Sequence, residues 1–284
     1  MRLRPGTAYG QSAAMDRTHI SALAHTGHPV AAPVDDEAVR RLLARLVRRG
    51  DERLLDLGCG GAEWLLRALA EHPEVRAEGV ELSEAALARA REAADVRGVR
   101  GRLALHRRDC TEFASPHRFD AVLCVGACHA FGGLRPALAA ARDRLAPGGL
   151  VLAGDGYWER EPGAEAVAML GELSDLASTV DGVVADGWTP VYGHVSSRRE
   201  LDDYEWSWTG SLASWALNRR AAAAGSASAA PAAATPDAGP DATPDADADA
   251  AQALAAAADH RTGWLRHYRD AFGFVCLVLA RTDG

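Results

Sequence analysis

Apolar and polar positions along this 284-residue chain alternate between two rhythms. Short, dense apolar runs at residues 53–57, 75–82, 103–107, 119–125 and 150–153 have the length and composition of buried strands. Between them the apolar residues recur every three or four positions. Asp35 caps the first such segment, in which Val39, Leu42, Leu43, Leu46 and Val47 share a face, and Gly50 ends it. Further helices are predicted from Glu63, from Ser83 through Leu87 and Ala90, and over Leu134, Leu138, Ala141 and Leu145 as far as Pro147-Gly148-Gly149. Strand and helix thus alternate five times. That order predicts an α/β fold with a mostly parallel sheet, helices on both faces, and ligands at the C-terminal strand ends.

The second half is less regular. Residues 161–188 read as a helix leading to a sixth strand at 190–195. A helix is expected over 199–220, with Tyr204, Trp208, Leu212 and Trp215 on one stripe and Trp206 off it. From 221 to about 250 the chain is almost entirely Ala, Ser, Pro, Thr and Asp, too poor in large apolar groups to offset its ordering entropy, and is expected to be a disordered insert. Helical spacing returns at Trp264, Tyr268 and Phe272, and the apolar run 274–279 is placed inside the sheet as its last strand. The expected organisation is an N-terminal arm over 1–34, a main domain over 35–220, the insert over 221–250, and a segment 251–284 that completes the sheet.

The first strand carries the chemistry. It runs into Asp56-Leu57-Gly58-Cys59-Gly60-Gly61-Ala62 and then into a helix from Glu63. Glycines 58 and 60 let the backbone turn tightly and approach a ligand, while the free amides of the helix start favour an anion or carboxylate. A dinucleotide turn would read GxGxxG, a spacing absent here. Two acidic residues follow at later strand ends, Glu81 and Asp109. The interval from Gly58 to Glu81 suits a carboxylate that meets ribose hydroxyls after a strand-helix-strand unit. NAD is the competing cofactor for such a site.

The DxGxG turn, Glu81, Asp109 and Pro147-Gly148-Gly149 together resemble the class I S-adenosylmethionine-dependent methyltransferases, with Ala62 standing where that family usually has a third glycine. GACHAFGG after the fourth strand, GDGYWE after the fifth, the Tyr204-Glu205-Trp206 triplet and RDAFGF from Arg269 look like a less characterised bacterial branch. The resemblance implies a Rossmann-like seven-stranded sheet with an antiparallel last strand, and S-adenosyl-L-methionine as cofactor. It implies that Asp56, Gly58 and Gly60 hold the methionine part, Glu81 the ribose hydroxyls and Asp109 the adenine amine, with Cys59, Leu82, Cys110 and Val125 also in the cofactor site.

Acceptor residues are less determined. His129, on the turn after the fourth strand, is the candidate general base, with a backbone-bonding role as the bland alternative. Cys128 is a candidate nucleophile or a small buried thiol. Tyr157, Trp158 and Trp206 are candidates for lining the acceptor pocket, where aromatic faces also attract a sulfonium. The Asn/Asp-Pro-Pro-aromatic tetrapeptide of nucleic-acid amino methylases is missing, so the expected activity is methyl transfer to a small molecule. A non-catalytic cofactor sensor on the same fold stays open as an alternative.

Bulk properties narrow this further. The formal charge of -8 is concentrated in Asp237, Asp241, Asp245, Asp247 and Asp249, so no basic footprint for nucleic acid is left. The chain has no lysine, which excludes a Walker-type P-loop and a pyridoxal Schiff base. The 5 cysteines form no CxxC pair, and His19, His25 and His28 lack a carboxylate at ligand spacing, so no metal is expected. The three histidines belong to an irregular arm that either stays partly ordered or folds over the cofactor as a lid. No leader or membrane segment is read from the sequence, and the expected location is the cytoplasm, with no membrane partner.

Overall fold

A computed structural model describes Met15 and residues 17–228 and 246–282. Seven strands form one sheet in the order β3-β2-β1-β4-β5-β7-β6. They are β1 (Arg53–Leu57), β2 (Arg76–Glu81), β3 (Leu103–Arg107), β4 (Phe119–Val125), β5 (Leu145–Trp158), β6 (Trp188–Val195) and β7 (Phe272–Arg281). The first five run parallel, and β7 inserts antiparallel between β5 and β6. This is the predicted seven-stranded α/β sheet with an antiparallel last strand.

Alternating side chains divide the core between the two faces. On one face α2 (Asp36–Leu46), α3 (Glu63–Glu71) and α4 (Glu84–Val96) pack Leu42, Leu46, Leu65, Leu69 and Leu87 against Leu54, Leu123 and Leu152. On the other, α5 (Leu134–Arg142) and α7 (Leu176–Ala185) cover Leu55, Leu57, Val122, Val151 and Val275. Asp35 and Ser83 cap α2 and α4 by accepting from the backbone N–H groups of Ala38 and Ala86, as their positions predicted.

Several expectations are corrected. The N-terminal arm is not irregular throughout: α1 (Arg17–Ala24) packs Ala24 against Leu212 and Ala216. The helix read over 161–188 is two, α6 (Ala164–Leu170) and α7, broken at Gly171, whose φ of 89° leaves the helical region. Leu145 is the first residue of β5 and not part of a helix face, because it pairs with Phe119 of β4 ahead of the stretch from Leu150 to Trp158 that pairs with β7. Phe272 likewise starts a strand, while Trp264–Tyr268 forms a π turn.

The insert expected over 221–250 gives up both ends to helices. α8 (Arg198–Ser228) and α9 (Ala246–Gly263) extend into it, and 229–245 lies outside the described residues. Alanine explains the extension: it is the strongest helix former, and Ala216, Ala250, Ala253 and Ala257 are small enough to let two helices pack closely without large apolar groups. Helices α1, α8 and α9 make a cap joined to the end of β6 and the start of β7. Among the described residues no helix is long and apolar enough to cross a membrane.

Candidate active site

The C-terminal ends of β1, β2 and β4 converge on the glycine turn. Gly58 has φ 85°, and a Cβ built there would lie 2.4 Å from the Ala127 Cβ, so the turn after β1 and the loop after β4 touch only because this side chain is missing. Gly60, at φ 52°, and Gly61 have nothing within 4 Å of such a Cβ. Open space beside a left-handed glycine turn is what close approach of a ligand to backbone requires. Ala62, at φ 58°, takes the left-handed conformation that a third glycine would adopt more cheaply.

Acidic groups stand around this space. Asp56 is 2% exposed, and burial, aided by nearby Glu81, pushes its pKa up to about 8. Glu81 bridges the turn to the next helix: its carboxylate accepts from the Gly60 N–H at 3.1 Å and the Ser83 N–H at 2.8 Å. Leu82 follows with 62% of its surface exposed, an apolar face awaiting a partner at a strand end. Asp109 uses one carboxylate oxygen to accept from the Thr111 hydroxyl at 2.7 Å and N–H at 2.8 Å, and these bonds hold its pKa below the usual range. Cys59, Cys110 and Val125 are buried behind these groups, and burial pushes the Cys110 thiol up to about 11. The structure therefore gathers Asp56, Gly58, Cys59, Gly60, Glu81 and Leu82 around the turn, with Asp109, Cys110 and Val125 on the adjoining strand ends.

The acceptor candidates are less united. His129 sits exposed on a 3₁₀ turn, Cys128–Phe131, directly after the loop that meets Gly58. Burial of part of its ring lowers its pKa, against an opposing backbone hydrogen bond at Gly126, so the imidazole is neutral at neutral pH. Cys128 is fully buried, with its sulfur 3.8 Å from the Cys124 sulfur. That hydrogen bond and burial raise its pKa well above the ordinary thiol value, which removes it as a nucleophile.

Tyr157 and Trp158 do not wall one pocket. As neighbours on β5 they point to opposite faces. Tyr157 lies over Gly273 in the α5–α7 core, and Trp158 packs with Trp264 and Tyr268 beneath the cap. Trp206 is 52% exposed on α8, its ring edge-on to Trp264 at 5.1 Å.

Other groups emerge only in the structure. Asp155, at the end of β5, accepts from the Gly156 N–H at 2.9 Å, and burial raises its pKa. Its signal in the sequence is a lone carboxylate between glycines after an apolar strand. The arm also reaches the site: a Cβ on Gly126 would lie 3.3 Å from the Ala31 carbonyl oxygen, so the segment after α1 crosses the end of β4. His25 and His28 turn toward Tyr204 on α8, with His25 Nε2 2.9 Å from the Tyr204 hydroxyl.

Comparison with known proteins agrees with this arrangement. Residues 54–149 match the family model described as a methyltransferase domain. The Escherichia coli (strain K12) protein YjhP, itself uncharacterised, is 27% identical over 212 residues, covering 72% of this chain and 83% of that one. Its crystal structure shares the fold with a TM-score of 0.75 at 22% identity, over 92% of this chain and 99% of that one. A methyltransferase from Geobacter sulfurreducens in complex with S-adenosyl-L-homocysteine has a TM-score of 0.76 at 22% identity, over 94% of this chain and 99% of its own. One from Thiobacillus denitrificans, in complex with the same molecule, has a TM-score of 0.75 at 22% identity with the same coverage.

Proposed function

The chain has the class I S-adenosylmethionine-dependent methyltransferase fold with a methyltransferase domain at its centre, and from that premise we propose that it binds S-adenosyl-L-methionine and methylates a small-molecule acceptor. The observation that carries the reading is the juxtaposition at the strand ends: an open left-handed glycine turn, with Glu81 hydrogen-bonded across it and Leu82 exposed beside it. Gly60 and Asp56 would hold the amino-acid part, Glu81 the ribose hydroxyls, and Leu82 and Asp109 the adenine. The sulfonium supplies a methyl group already activated by positive charge, so the protein's task is to bind and align.

The loop from Gly126 to Gly133 and the end of β5 then face the acceptor, with His129 and Asp155 as its polar groups. The lack of the Asn/Asp-Pro-Pro-aromatic tetrapeptide of nucleic-acid amino methylases supports a small acceptor over a nucleic acid. Incubation with methyl-labelled S-adenosylmethionine and a metabolite extract tests this: label on a small molecule supports it, and label on protein or nucleic acid alone refutes the acceptor class.

Two substitutions separate the roles. Glu81→Ala removes a carboxylate expected to accept from two ribose hydroxyls, each such bond being worth about 1.5–3 kcal/mol. The dissociation constant for S-adenosylhomocysteine should rise by about 10-fold or more; an unchanged value removes the ribose role. His129→Ala should lower methyl transfer by about 10-fold or more while the same dissociation constant stays put. Equal losses in both would make His129 a structural residue.

A further inference from the structure

Beneath the cap lies a polar cluster that the cofactor site does not use. Glu205, on α8, is 7% exposed, yet its carboxylate is bonded on both oxygens. Oε1 accepts from the Tyr268 hydroxyl at 3.0 Å, and Oε2 is 2.6 Å from His260 Nε2. The His260 ring also stacks on Trp208, with centroids 3.9 Å apart and planes at 18°. These contacts determine both the orientation and the tautomer of the imidazole. With a carboxylate against Nε2, that nitrogen carries the proton, and Nδ1 keeps its lone pair. Among the described residues Nδ1 has no hydrogen-bond partner, and the His260 side chain is 25% exposed.

A clamp between two helices needs neither an uncommitted nitrogen nor a stacked ring. A carboxylate that orients an imidazole through one nitrogen while the other stays open is the arrangement of a general base. The backbone adds a second sign. Tyr268 ends the π turn Trp264–Tyr268, a distortion frequent at functional sites, and that turn aims the hydroxyl at Glu205.

Position completes the case. Tyr268 packs edge-on to Phe272 at 6.1 Å, and Phe272 lies where a side chain on Gly156 would be, 2.4 Å from its built Cβ. Gly156 is next to Asp155 on β5, and the two point to opposite faces of the sheet. Ring contacts therefore join the dyad to the C-terminal end of β5, on the face opposite the Asp155 side chain.

We propose that His260, held by Glu205, takes the proton released by the acceptor, and that the acceptor's nucleophilic atom is a hydroxyl or an amine nitrogen bearing that proton. This rests on the methyltransferase reading. Transfer forms the bond from that oxygen or nitrogen to the methyl carbon and breaks the carbon–sulfur bond, whose electron pair goes to sulfur. The proton passes to Nδ1, and the imidazolium so formed is balanced by the Glu205 carboxylate until the exposed edge returns the proton to water. Glu205 is a positioning residue, and His129 is left to contact the acceptor at the rim.

The test has an arm that needs no acceptor. Nitrogen-15 NMR of the histidine-labelled full chain, with His260 assigned by its loss in His260→Gln, should show the Nε2-protonated tautomer with a bare Nδ1. Glu205→Gln should abolish that preference. An Nδ1-protonated ring, or a tautomer unmoved in Glu205→Gln, overturns the proposal. The second arm measures labelled methyl transfer to a mixture of phenols and aliphatic amines. His260→Ala should lower it by about 100-fold or more, with partial rescue by added imidazole and no change in S-adenosylhomocysteine affinity. Full transfer by a folded His260→Ala protein refutes the assignment. If the unaltered protein binds S-adenosylmethionine and methylates no phenol or amine, the assignment of a hydroxyl or amine acceptor is overturned. Loss of S-adenosylhomocysteine binding by the unaltered protein would refute the parent reading, which is a different failure.

Discussion

Gly58→Val is expected to abolish cofactor binding and to destabilise the protein by about 2–5 kcal/mol, the larger of the effects foreseen for single substitutions in the turn. Two costs add. The position has φ 85°, which costs a β-branched residue at least about 1–2 kcal/mol, and its Cβ would be forced within 2.4 Å of the Ala127 methyl. The loop after β4 would have to retreat, taking His129 with it. Gly60→Ala provides the contrast, since a methyl there meets nothing within 4 Å in the protein. It should cost only about 1–2 kcal/mol for a left-handed alanine, with no clash added, so the melting temperature falls less than in Gly58→Val, and it should still weaken S-adenosylhomocysteine, because the space it fills is the ligand's. Equal thermal losses in the two variants would show that Gly60 also serves packing and not approach.

The second large effect concerns pH. Asp56 has a folded-state pKa of about 8, raised by burial and by Glu81, against about 4 in the unfolded chain. Below pH 4 both states hold the proton, and the contribution is fully present. Between about 4 and 8 the unfolded chain releases it while the native protein keeps it, so stability falls by up to about 1.4 kcal/mol per pH unit. Urea unfolding of the ligand-free protein at pH 5 and pH 7.5 should therefore show a loss of several kcal/mol that Asp56→Asn largely removes. Parallel losses in the two proteins would mean that Asp56 is ionised in the native state. A cationic ligand lowers the pKa of an adjacent buried acid. Binding of S-adenosylmethionine near pH 7 should then release up to one proton, read by titration calorimetry in buffers of different ionisation enthalpy.

The sheet and the cofactor half of the site were legible in the sequence for a physical reason. Strands buried on both faces must be continuous apolar runs, and 53–57 and 119–125 coincide with the inner strands β1 and β4. Gly58, Glu81 and Asp109 lie within a residue or two of the strand ends, so local spacing was enough to group them. The cap was legible only in part. The stripe of Tyr204, Trp208, Leu212 and Trp215 marks the first part of α8, whereas its end and α9 are alanine-rich, carry no amphipathic period and read as low complexity. Tyr157 and Trp158 were grouped because they adjoin in sequence, which is what separates them on a strand. Glu205 and His260 lie 55 residues apart, with part of the alanine-rich insert between them, and only the fold brings the two together.

The account stands or falls on what binds at the glycine turn. Titration calorimetry of the full chain with S-adenosylhomocysteine, S-adenosylmethionine and NAD should show one equivalent of either sulfur ligand bound, with affinity reduced in Glu81→Ala, and no NAD binding. Binding of NAD with no heat from either sulfur ligand would contradict it.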